Sequence, residues 1–465
     1  MIAGKKVLVM GAARSGIACA RFLTSRGAIV ALNDQKPLEK WSPEALALRA
    51  EGVGCLPGEA PSWLLDQIEL MVLSPGVPTQ AIPARYAERA GAEVIGEIEL
   101  AFRYLRGRLV AITGSNGKTT TTSLIGSLLE GAGLQVQVGG NIGTPLISMV
   151  ESSRTDGWSV AEVSSFQLET IKTFHANVAV VLNVTPNHMD RYESLTDYAA
   201  AKHRIFLNQT PDDVAVLNRD DATVSSWAAG LRAHISWFSV RGELAEGLFL
   251  QGQKLVSRTA EGERVLLRRD EMRLRGLHNV ENVLAALSAA LACGADPDSM
   301  RNTVRNFLPV EHRLEFVAEI RGVKFYNDSK ATSVDATLKA LEAFREEPGK
   351  IVLILGGLGK KAPYAPLAPL IQEKVSKLIL LGADAETIMR ELGTYAPAEC
   401  VADVRGAVKQ SLKAAKNGDV VLLAPACASF DMFEGFEHRG RVFKEEVRAL
   451  EGDPEEQVRQ SQIAS

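Results

Sequence analysis

The sequence predicts an α/β protein of three domains, each with a parallel β-sheet between layers of helices. Short apolar runs rich in β-formers alternate with helical patterns along almost the whole chain, which is typical of parallel sheets. The alternation starts afresh at three places, each time with a glycine-rich or polar loop after the first strand. A length of 465 residues agrees with three domains of roughly 150 residues. We expect domains at residues 1–98, 99–309 and 310–465.

Apolar runs predict the strands of each sheet. The runs in the three domains are Val7–Met10, Ile29–Asn33 and Met71–Ser74, then Leu109–Thr113, Ser159–Val163 and Val178–Val184, then Ile351–Leu355, Lys377–Leu381 and Val420–Ala424. Near-continuous apolar runs indicate strands buried on both faces, as in parallel sheets. The stretch 233–273 is richer in glycine and in alternating residues, and we interpret it as a local antiparallel insertion.

Composition and charge exclude several classes of protein. With 46% hydrophobic and 23% charged residues, the chain is an ordinary globular protein. No apolar run reaches the roughly 18 residues that a membrane-spanning helix requires. The five cysteines lack the spacing of a zinc site or a disulfide framework. The net charge is −4, without a basic run interleaved with aromatics. We expect a cytoplasmic, monomeric enzyme of small-molecule substrates, with neither nucleic acid nor membrane as a partner.

A glycine-bearing turn follows the first strand of the second domain. The strand Leu109–Thr113 runs directly into the turn, and the helical stretch Thr121–Glu130 comes next. In such a turn, backbone N–H groups and the positive end of the helix dipole converge on phosphate oxygens. Lys118 is then placed for the β- and γ-phosphates, and the Thr119 hydroxyl for Mg²⁺. The residues predicted to bind ATP are Gly114, Ser115, Asn116, Gly117, Lys118, Thr119 and Thr120.

Polar residues follow the next two predicted strands of this domain. Glu162 closes an apolar run, at the position where an ATPase holds its metal or the metal's waters with a carboxylate. Ser164 and Gln167 come directly after it, and we expect them to face the same cleft. His188 follows the strand Val178–Val184, at the carboxyl edge where open α/β sheets bind ligands. Glu162 is therefore a candidate metal ligand and His188 a candidate catalytic residue.

Six short motifs follow one another along the chain. They are Gly114–Thr120, Gly140–Gly143, Asn183–Asp190, Gly276–Asn279, Glu311–Arg313 and Asn327–Thr332. Together they closely resemble the motifs of the Mur ligases, the ATP-dependent amide-bond ligases of peptidoglycan precursor synthesis, over essentially the whole chain. The resemblance implies a Rossmann-like N-terminal domain that binds a UDP substrate, a P-loop mononucleotide-binding central domain and a Rossmann-like C-terminal domain that binds an amino acid.

The resemblance also implies roles within the central domain. Lys118 and Thr119 would serve the ATP phosphates and a first Mg²⁺, with Glu162 on that ion. His188 and Lys202 would hold a second Mg²⁺, and Lys118, His188 and Lys202 would be the catalytic residues. Composition alone makes Lys202 a surface lysine, since nothing in the helical periodicity marks it out. The resemblance implies that its Nζ is carbamylated, because a carbamate supplies hard anionic oxygens and an ammonium would repel the ion.

Other residues are assigned to substrates by the same resemblance. Asn141 is implied to contact the UDP substrate. The residues implied to engage ATP are Asn279, Arg313 and Asp328. The residues implied to face the carboxylates of D-glutamate are Lys330, Thr332, Ser429 and Phe430. A lysine and hydroxyls suit a dicarboxylate, which needs charge-assisted donors at two separated points.

The first domain carries a turn that superficially resembles a dinucleotide-binding fingerprint. The turn Gly11–Gly16 follows the strand Val7–Met10, and Asp34 ends the next strand. Ala13 stands in place of the central glycine, which argues against the close backbone approach that NAD needs. We expect a uracil and diphosphate site here instead. Its lining residues are predicted to be Ser15, Asp34, Gln35, Ser74 and Gly76.

The resemblance implies a two-step reaction. The carboxylate of UDP-N-acetylmuramoyl-L-alanine attacks the γ-phosphate of ATP to give an acyl phosphate, and the amine of D-glutamate then displaces phosphate to form the amide. Another Mur-type or a folylpolyglutamate-type amide ligase is an alternative with the same central chemistry. A P-loop regulatory NTPase is a further alternative, although the sequence contains no Asn-Lys-x-Asp motif for reading guanine.

Overall fold

The computed structural model describes residues 2–186, 191–308, 311–345, 348–359 and 362–450. Two compact units are distinguished in the chain. The first comprises Met1–Met272 and Val280–Phe307, and the second comprises Arg273–Asn279 and Leu308–Ser465. The first unit contains the first and second sheets, and the second unit contains the third sheet. Within the described residues, no helix has both the length and the apolar character needed to cross a bilayer.

The first sheet is parallel, with the strand order β3-β2-β1-β4-β5. Its strands are β1 (Lys6–Met10), β2 (Ile29–Asp34), β3 (Gly54–Pro57), β4 (Leu70–Leu73) and β5 (Glu93–Gly96). Its helices are α1 (Arg14–Ser25), α2 (Pro43–Ala47), α3 (Ser62–Leu65), α4 (Ile82–Arg89) and α5 (Glu97–Phe102). The strand order reverses beside β1, which creates a crevice at the carboxyl edge of the sheet. The loops after β1 and β4 meet there closely, because a Cβ on Gly11 would lie 2.9 Å from the Ser74 side chain.

The second sheet has the order β14-β13-β12-β11-β10-β9-β6-β8-β7. Its strands are β6 (Arg108–Thr113), β7 (Val136–Gly140), β8 (Trp158–Glu162), β9 (Val178–Val181), β10 (Val214–Asn218), β11 (His234–Ser239), β12 (Gly247–Gln251), β13 (Lys254–Thr259) and β14 (Gly262–Arg268). The helices that accompany it are α6 (Lys118–Gly131), α7 (Ser165–Leu168), α8 (Leu195–His203), α9 (Ala222–Ser226), α10 (Leu277–Ala292) and α11 (Pro297–Asn306). Antiparallel pairing joins β12 to β13 and β13 to β14. The predicted antiparallel insertion is confirmed for these strands, whereas β11 pairs in parallel with both of its neighbours.

The third sheet has the order β15-β16-β20-β17-β18-β19 and is parallel except between β15 and β16. Its strands are β15 (Glu315–Ile320), β16 (Val323–Asn327), β17 (Ile351–Gly356), β18 (Val375–Leu381), β19 (Ala398–Cys400) and β20 (Val420–Leu423). Its helices are α12 (Val334–Glu342), α13 (Ala368–Lys374), α14 (Ala385–Leu392), α15 (Val404–Ala414) and α16 (Phe436–Ala449). The loops after β16, β17 and β20 therefore emerge at the same edge of the sheet.

Alternation along the central strands explains why the runs are apolar throughout. On β17, Leu353 and Leu355 belong to the hydrophobic cluster on one face of the third sheet, whereas Val352 and Ile354 belong to the cluster on the other face. Successive side chains of a strand point to opposite faces. A strand covered on both faces must therefore be apolar at every position. The predicted three-domain α/β fold with parallel sheets is confirmed.

One predicted strand ends earlier than its apolar run suggested. The strand that begins at Val178 ends at Val181, not at Val184. After Val181 the backbone turns toward the loop that follows β6, where the Asn183 carbonyl accepts a hydrogen bond from the Ser115 N–H. The last residues of the run therefore brace a loop, although two of them, Leu182 and Val184, are apolar enough for a strand.

Candidate active site

The phosphate loop occupies the connection between β6 and α6. Gly117 precedes the first residue of α6 and has a φ of 84°, a left-handed conformation that glycine adopts without a steric penalty. A Cβ at this position would lie 2.2 Å from Oδ1 of Asn282. The loop ends on the N-terminus of a helix of 14 residues, where the helix dipole and backbone N–H groups favour phosphate.

Hydrogen bonds from the neighbouring loop hold the phosphate loop in shape. The N–H of Asn116 donates to Oδ1 of Asn183 at 2.8 Å. The Ser115 hydroxyl donates to the Thr185 carbonyl at 2.9 Å, and the Thr185 N–H donates back to the same hydroxyl at 2.9 Å. The loop is thus preorganised by the segment after β9. The Lys118 Nζ donates to the Gly114 carbonyl at 2.8 Å, which keeps its charge over the loop.

Glu162 lies at the end of β8 beside the first turn of α6. Its buried carboxylate accepts a hydrogen bond from the Thr119 hydroxyl at 2.9 Å through Oε2 and from the Asn141 amide at 3.0 Å through Oε1. The two predicted ligands of the first Mg²⁺ are therefore neighbours. A hydroxyl and a carboxylate are hard oxygen donors of the kind that Mg²⁺ prefers, so these residues fit that ion.

Lys202 is buried rather than exposed, so the interpretation of this residue from composition alone is wrong. It lies on α8 with 1% of its surface exposed, and its Nζ donates to the Gly114 carbonyl at 2.8 Å. The Tyr198 ring covers the same Nζ, with its centroid 4.5 Å away. Burial lowers the pKa of Lys202 well below its ordinary value, and the charge of Lys118 lowers it further, while Glu162 opposes the shift. The side chain is therefore held beside the phosphate loop in an environment that favours the neutral amine.

The remaining predicted ligand, His188, lies outside the described residues. Within the described part of the chain, no group of three or more His, Cys, Asp or Glu side chains is arranged to hold a metal ion. An unmodified Lys202 offers nitrogen and not oxygen, so a second Mg²⁺ fits this position only if the lysine carries a carbamate.

A cavity of about 550 Å³ opens where the first sheet meets the second sheet. The predicted substrate residues that line it are Ser15, Asp34, Gln35, Ser74, Gly76, Asn141 and Gln167. Ser164 is outside this lining, and its hydroxyl instead caps α7 by accepting a hydrogen bond from the Gln167 N–H at 3.3 Å. Asn141 has two roles, because it lines the cavity and also donates to Glu162. The cavity is therefore one hydrogen bond away from Glu162, which does not itself line it.

Asp34 fixes a turn in the lining of the cavity. Its carboxylate accepts hydrogen bonds from the backbone N–H groups of Ala12 and Lys36, at 2.8 and 2.9 Å. The Ser74 hydroxyl donates to the Gly11 carbonyl at 3.1 Å. These bonds join the loops after β1, β2 and β4 into one wall.

Glu97, which the sequence did not single out, is a buried carboxyl group in the same lining. It accepts a hydrogen bond from the Ile147 N–H at 2.7 Å. Burial raises the pKa of Glu97 to about 7, although hydrogen bonds from Ile147, Gln167 and Leu146 oppose the shift. Glu97 thus connects α5 of the first domain to the loop that carries Asn141.

In the second unit, the loop after β16 brings several of the predicted residues together. Burial raises the pKa of Asp328 to about 7, while the positive charges of Arg313 and Lys330 act in the opposite direction. The buried Nε of Arg313 has no hydrogen-bond partner within the described residues. Asn279 belongs to the same unit, and its amide donates to the Arg275 carbonyl at 2.7 Å.

Arg439 fastens this loop to the loop after β20. The side chain extends from α16 and has 1% of its surface exposed. Its Nη2 donates to the carbonyls of Ser329 at 2.9 Å and Cys427 at 3.1 Å, and its Nε donates to the Ser329 hydroxyl at 3.0 Å. Burial lowers the pKa of Arg439 to about 10. Arg439 thereby sets the positions of the two loops on which Lys330 and Ser429 lie.

The predicted amino-acid residues differ in their exposure. Ser429 is buried, whereas Phe430 beside it is 71% exposed. The backbone N–H of Thr332 donates to the Lys330 carbonyl at 2.8 Å. The Ala426 N–H donates to the Ala331 carbonyl at 2.9 Å, which adds a direct contact between the two loops.

Comparison with models of known protein families identifies the family of this chain. A model of the Mur ligase MurD-like N-terminal domain matches residues 5–96, the Mur ligase middle domain matches 112–290, and the Mur ligase glutamate ligase domain matches 312–427. The chain belongs to the Mur ligase family. Membership implies ATP as the nucleotide of the phosphate loop.

Individual relatives align with this Mur ligase over almost its whole length. It is 49% identical over 451 residues to a UDP-N-acetylmuramoylalanine–D-glutamate ligase of Acidobacterium capsulatum, with 97% of each chain covered. It is 48% identical over 452 residues to a protein of the same name from Solibacter usitatus, with 96% of this chain and 98% of the other covered.

Solved structures agree in fold at much lower identity. A MurF ligase from Thermotoga maritima in complex with ADP aligns with a TM-score of 0.62 at 16% identity, covering 96% of each chain. UDP-N-acetylmuramate-alanine ligase MurC from the same organism aligns with a TM-score of 0.61 at 19% identity, covering 96% of this Mur ligase and 99% of that chain. At such identities the likeness shows the shared fold.

Proposed function

We propose that this Mur ligase joins D-glutamate to UDP-N-acetylmuramoyl-L-alanine through an amide bond, with conversion of ATP to ADP and phosphate. The observation that carries the proposal is the position of Asn141, which lines the substrate cavity and also donates to Glu162, itself bonded to Thr119 of α6. An acceptor in the cavity is then next to a nucleotide on the loop. The names of the relatives at 42–49% identity support the choice of substrates.

Two displacements account for the reaction. A carboxylate oxygen of the acceptor attacks the γ-phosphorus, the bond from that phosphorus to the bridging oxygen of ADP breaks, and an acyl phosphate forms. The amine of D-glutamate attacks the acyl carbon, phosphate leaves with the oxygen that joined it to that carbon, and the nitrogen loses a proton. The protein contributes by positioning the reactants and by stabilising negative charge. Lys118 is the residue that brings positive charge to the loop.

Thr119 and Glu162 would hold the first Mg²⁺, which neutralises phosphate charge when it is bound. For the second ion we propose His188 together with a carbamylated Lys202. The lowered pKa of Lys202 supports this modification, because only the neutral amine attacks carbon dioxide, losing a proton as the carbamate forms. The product carries the anionic oxygens that the unmodified side chain lacks.

The other predicted roles remain part of the proposal. The UDP moiety would bind along Ser15, Asp34, Gln35, Ser74 and Gly76, with Gln167 at the edge of the cavity. The nucleotide would be engaged by Asn279, Arg313 and Asp328. The buried Nε of Arg313, which has no hydrogen-bond partner among the described residues, supports an anionic ligand there. D-glutamate would be bound by Lys330, Thr332, Ser429 and Phe430. We further propose domain boundaries near residues 98 and 309, and a monomer that acts in the cytoplasm without nucleic-acid or membrane partners.

Phosphate release with UDP-N-acetylmuramoyl-L-alanine, measured across a panel of amino acids, tests the proposal. We expect release to require ATP, the acceptor and D-glutamate together, with little release for L-glutamate, L-alanine or a diamino acid. Turnover with a pteridine acceptor would favour a folylpolyglutamate-type ligase. Nucleotide hydrolysis that ignores every amino acid would favour a regulatory NTPase and would contradict the proposal.

A further inference from the structure

An ion pair of the second domain is hydrogen-bonded to the first domain beside the substrate cavity, within the first unit. Arg191 donates to the Glu169 carboxylate at 3.0 Å and to the Pro75 carbonyl at 3.2 Å. The other carboxylate oxygen of Glu169 accepts a hydrogen bond from the Tyr192 hydroxyl at 2.5 Å. Thr79 adds a longer bond to Glu169 at 3.4 Å. Segments far apart in the sequence therefore meet on one carboxylate.

Each partner of this pair is connected to the cavity wall. Pro75 lines the cavity together with the residues that follow it as far as Pro78. Glu169 comes directly after α7, and Gln167 of α7 lines the cavity from the opposite domain. The side chains of Arg191 and Glu169 are only 18% and 17% exposed. The pair is thus largely shielded from water, where a charge-assisted hydrogen bond is stronger than on an open surface.

The geometry requires the planar group of an arginine. The guanidinium carbon of Arg191 lies 3.9 Å from the centroid of the Phe166 ring, so the group stacks on the ring while its two terminal nitrogens bond to different domains. A lysine has a single compact ammonium and cannot reproduce this combination. Tyr192 in turn stacks on Phe166 and contacts Tyr198, at centroid distances of 5.8 and 5.3 Å.

The aromatic contacts extend from the ion pair to the phosphate loop. The Tyr198 and Ser115 hydroxyls are hydrogen-bonded to each other at 3.2 Å. The rim of the substrate cavity and the nucleotide loop therefore share one packed cluster, made of Phe166, Arg191, Tyr192 and Tyr198.

We infer that Arg191 and Glu169 form a positioning pair, which fixes the wall at 75–78 and so sets the affinity for the UDP-linked acceptor. The inference rests on the proposed function, because it takes this cavity as the acceptor site. Neither residue is a catalytic residue, since both act through the Pro75 loop.

Kinetics of Arg191→Lys, Arg191→Ala and Glu169→Gln test the inference, with Arg154→Ala as the control. Arg154 pairs with Asp156 on an exposed surface of the same unit. For each test variant we expect the KM for the acceptor to rise by about tenfold or more, the loss expected for a shielded charge-assisted bond, with a much smaller change in the KM for ATP. Calorimetric titration with the acceptor in the absence of ATP should show the same loss of affinity. Arg191→Lys retains the charge, so a loss in this variant supports the role of the planar group.

The outcomes are distinguishable. The double variant Arg191→Ala, Glu169→Gln tests whether the two residues act as a unit. If they do, its acceptor KM rises by the same factor as in either single variant. If its KM instead rises by the two single-variant factors multiplied together, the two residues act independently and the inference is overturned. An active wild-type protein whose Arg191 variants bind the acceptor normally overturns the inference and leaves the proposed function intact. A wild-type protein that neither binds nor converts the acceptor overturns both.

Discussion

The Nζ of Lys202 donates a hydrogen bond to the Gly114 carbonyl at 2.8 Å, although the two residues are 88 positions apart in the chain. This contact places a lysine from α8 against the first residue of the phosphate loop. Because the site is buried and Lys118 is close, the amine is biased toward its neutral form. A lysine that is to become a carbamylated metal ligand needs a neutral amine and a position close to the phosphate loop, and Lys202 has both.

Lys202→Ala is therefore expected to lower kcat by about a thousandfold, in line with the loss of one preorganised charge-stabilising group. Short carboxylic acids should restore part of the activity, because they can supply the missing anionic oxygens. Steady-state rates with and without added acetate or formate are the measurement. Lys172→Ala serves as a control, since that side chain is 46% exposed. Full activity of Lys202→Ala without any added acid would remove Lys202 from the mechanism.

Glu162→Gln should raise the Mg²⁺ concentration required for half-maximal activity by at least about tenfold, because it removes a charge from the metal site while keeping the size of the side chain and one of its two acceptor oxygens. The measurement is a Mg²⁺ titration of product formation at saturating substrates. Glu130→Gln at the exposed end of α6 is the matched control. An unchanged Mg²⁺ requirement would show that Glu162 serves only to hold Thr119 and Asn141.

Arg439→Met should raise the KM for D-glutamate by about tenfold or more. The methionine cannot donate the hydrogen bonds by which the buried arginine holds the carbonyls of the two loops together. The KM for the UDP substrate should stay the same, since Arg439 bonds to loops of the third sheet. Arg439→Lys keeps the charge but not the fork of donors, and it should resemble Arg439→Met. Arg390→Met, on the exposed face of α14, is the control. Equal increases in both KM values would contradict a role confined to the amino-acid loops.

Glu97 should make stability depend on pH in a defined window. Its pKa is about 7 in the folded protein, against an ordinary value of 4.5, so the folded protein keeps a proton that the unfolded chain releases. The contribution is complete below pH 4.5 and is lost as the pH rises through 7. Glu97→Gln stays neutral at every pH. The Tm of wild type minus the Tm of Glu97→Gln should therefore fall between pH 4.5 and 8. Asp328, whose pKa is also raised, is present in both proteins and cancels. A constant difference in Tm would refute the assignment.

Features encoded by neighbouring residues were predictable from the sequence. The phosphate loop is a strand, a turn and a helix in direct succession, so Gly114–Thr120 could be recognised from local pattern alone. The parallel sheets followed from apolar runs such as Ile351–Leu355, because a strand covered on both faces has no polar side. Glu162 was predictable as the residue at the end of a strand adjacent to the loop.

Features made by long-range packing were not predictable in this way. Lys202 and Arg439 lie on helices whose surroundings are set by distant segments, so a charged residue there looks like a solvated one. Glu97 is unusual because packing against distant segments, among them the one at Ile147, buries its carboxyl group. The resemblance to a family supplied a role for Lys202 but none for Arg439 or Glu97. The roles assigned to Asn279, Arg313 and Phe430 stay predictions.

The transfer of an oxygen atom tests the central claim most directly. The acceptor UDP-N-acetylmuramoyl-L-alanine, with both oxygens of its alanyl carboxylate labelled with ¹⁸O, is incubated with the enzyme, ATP, Mg²⁺ and D-glutamate, and the released phosphate is analysed by mass spectrometry. Because an acyl phosphate leaves one carboxylate oxygen on phosphorus, we predict that each phosphate carries one ¹⁸O and that the new amide retains the other. Unlabelled phosphate formed together with the amide product would contradict phosphorylation of the acceptor on the loop that carries Lys118.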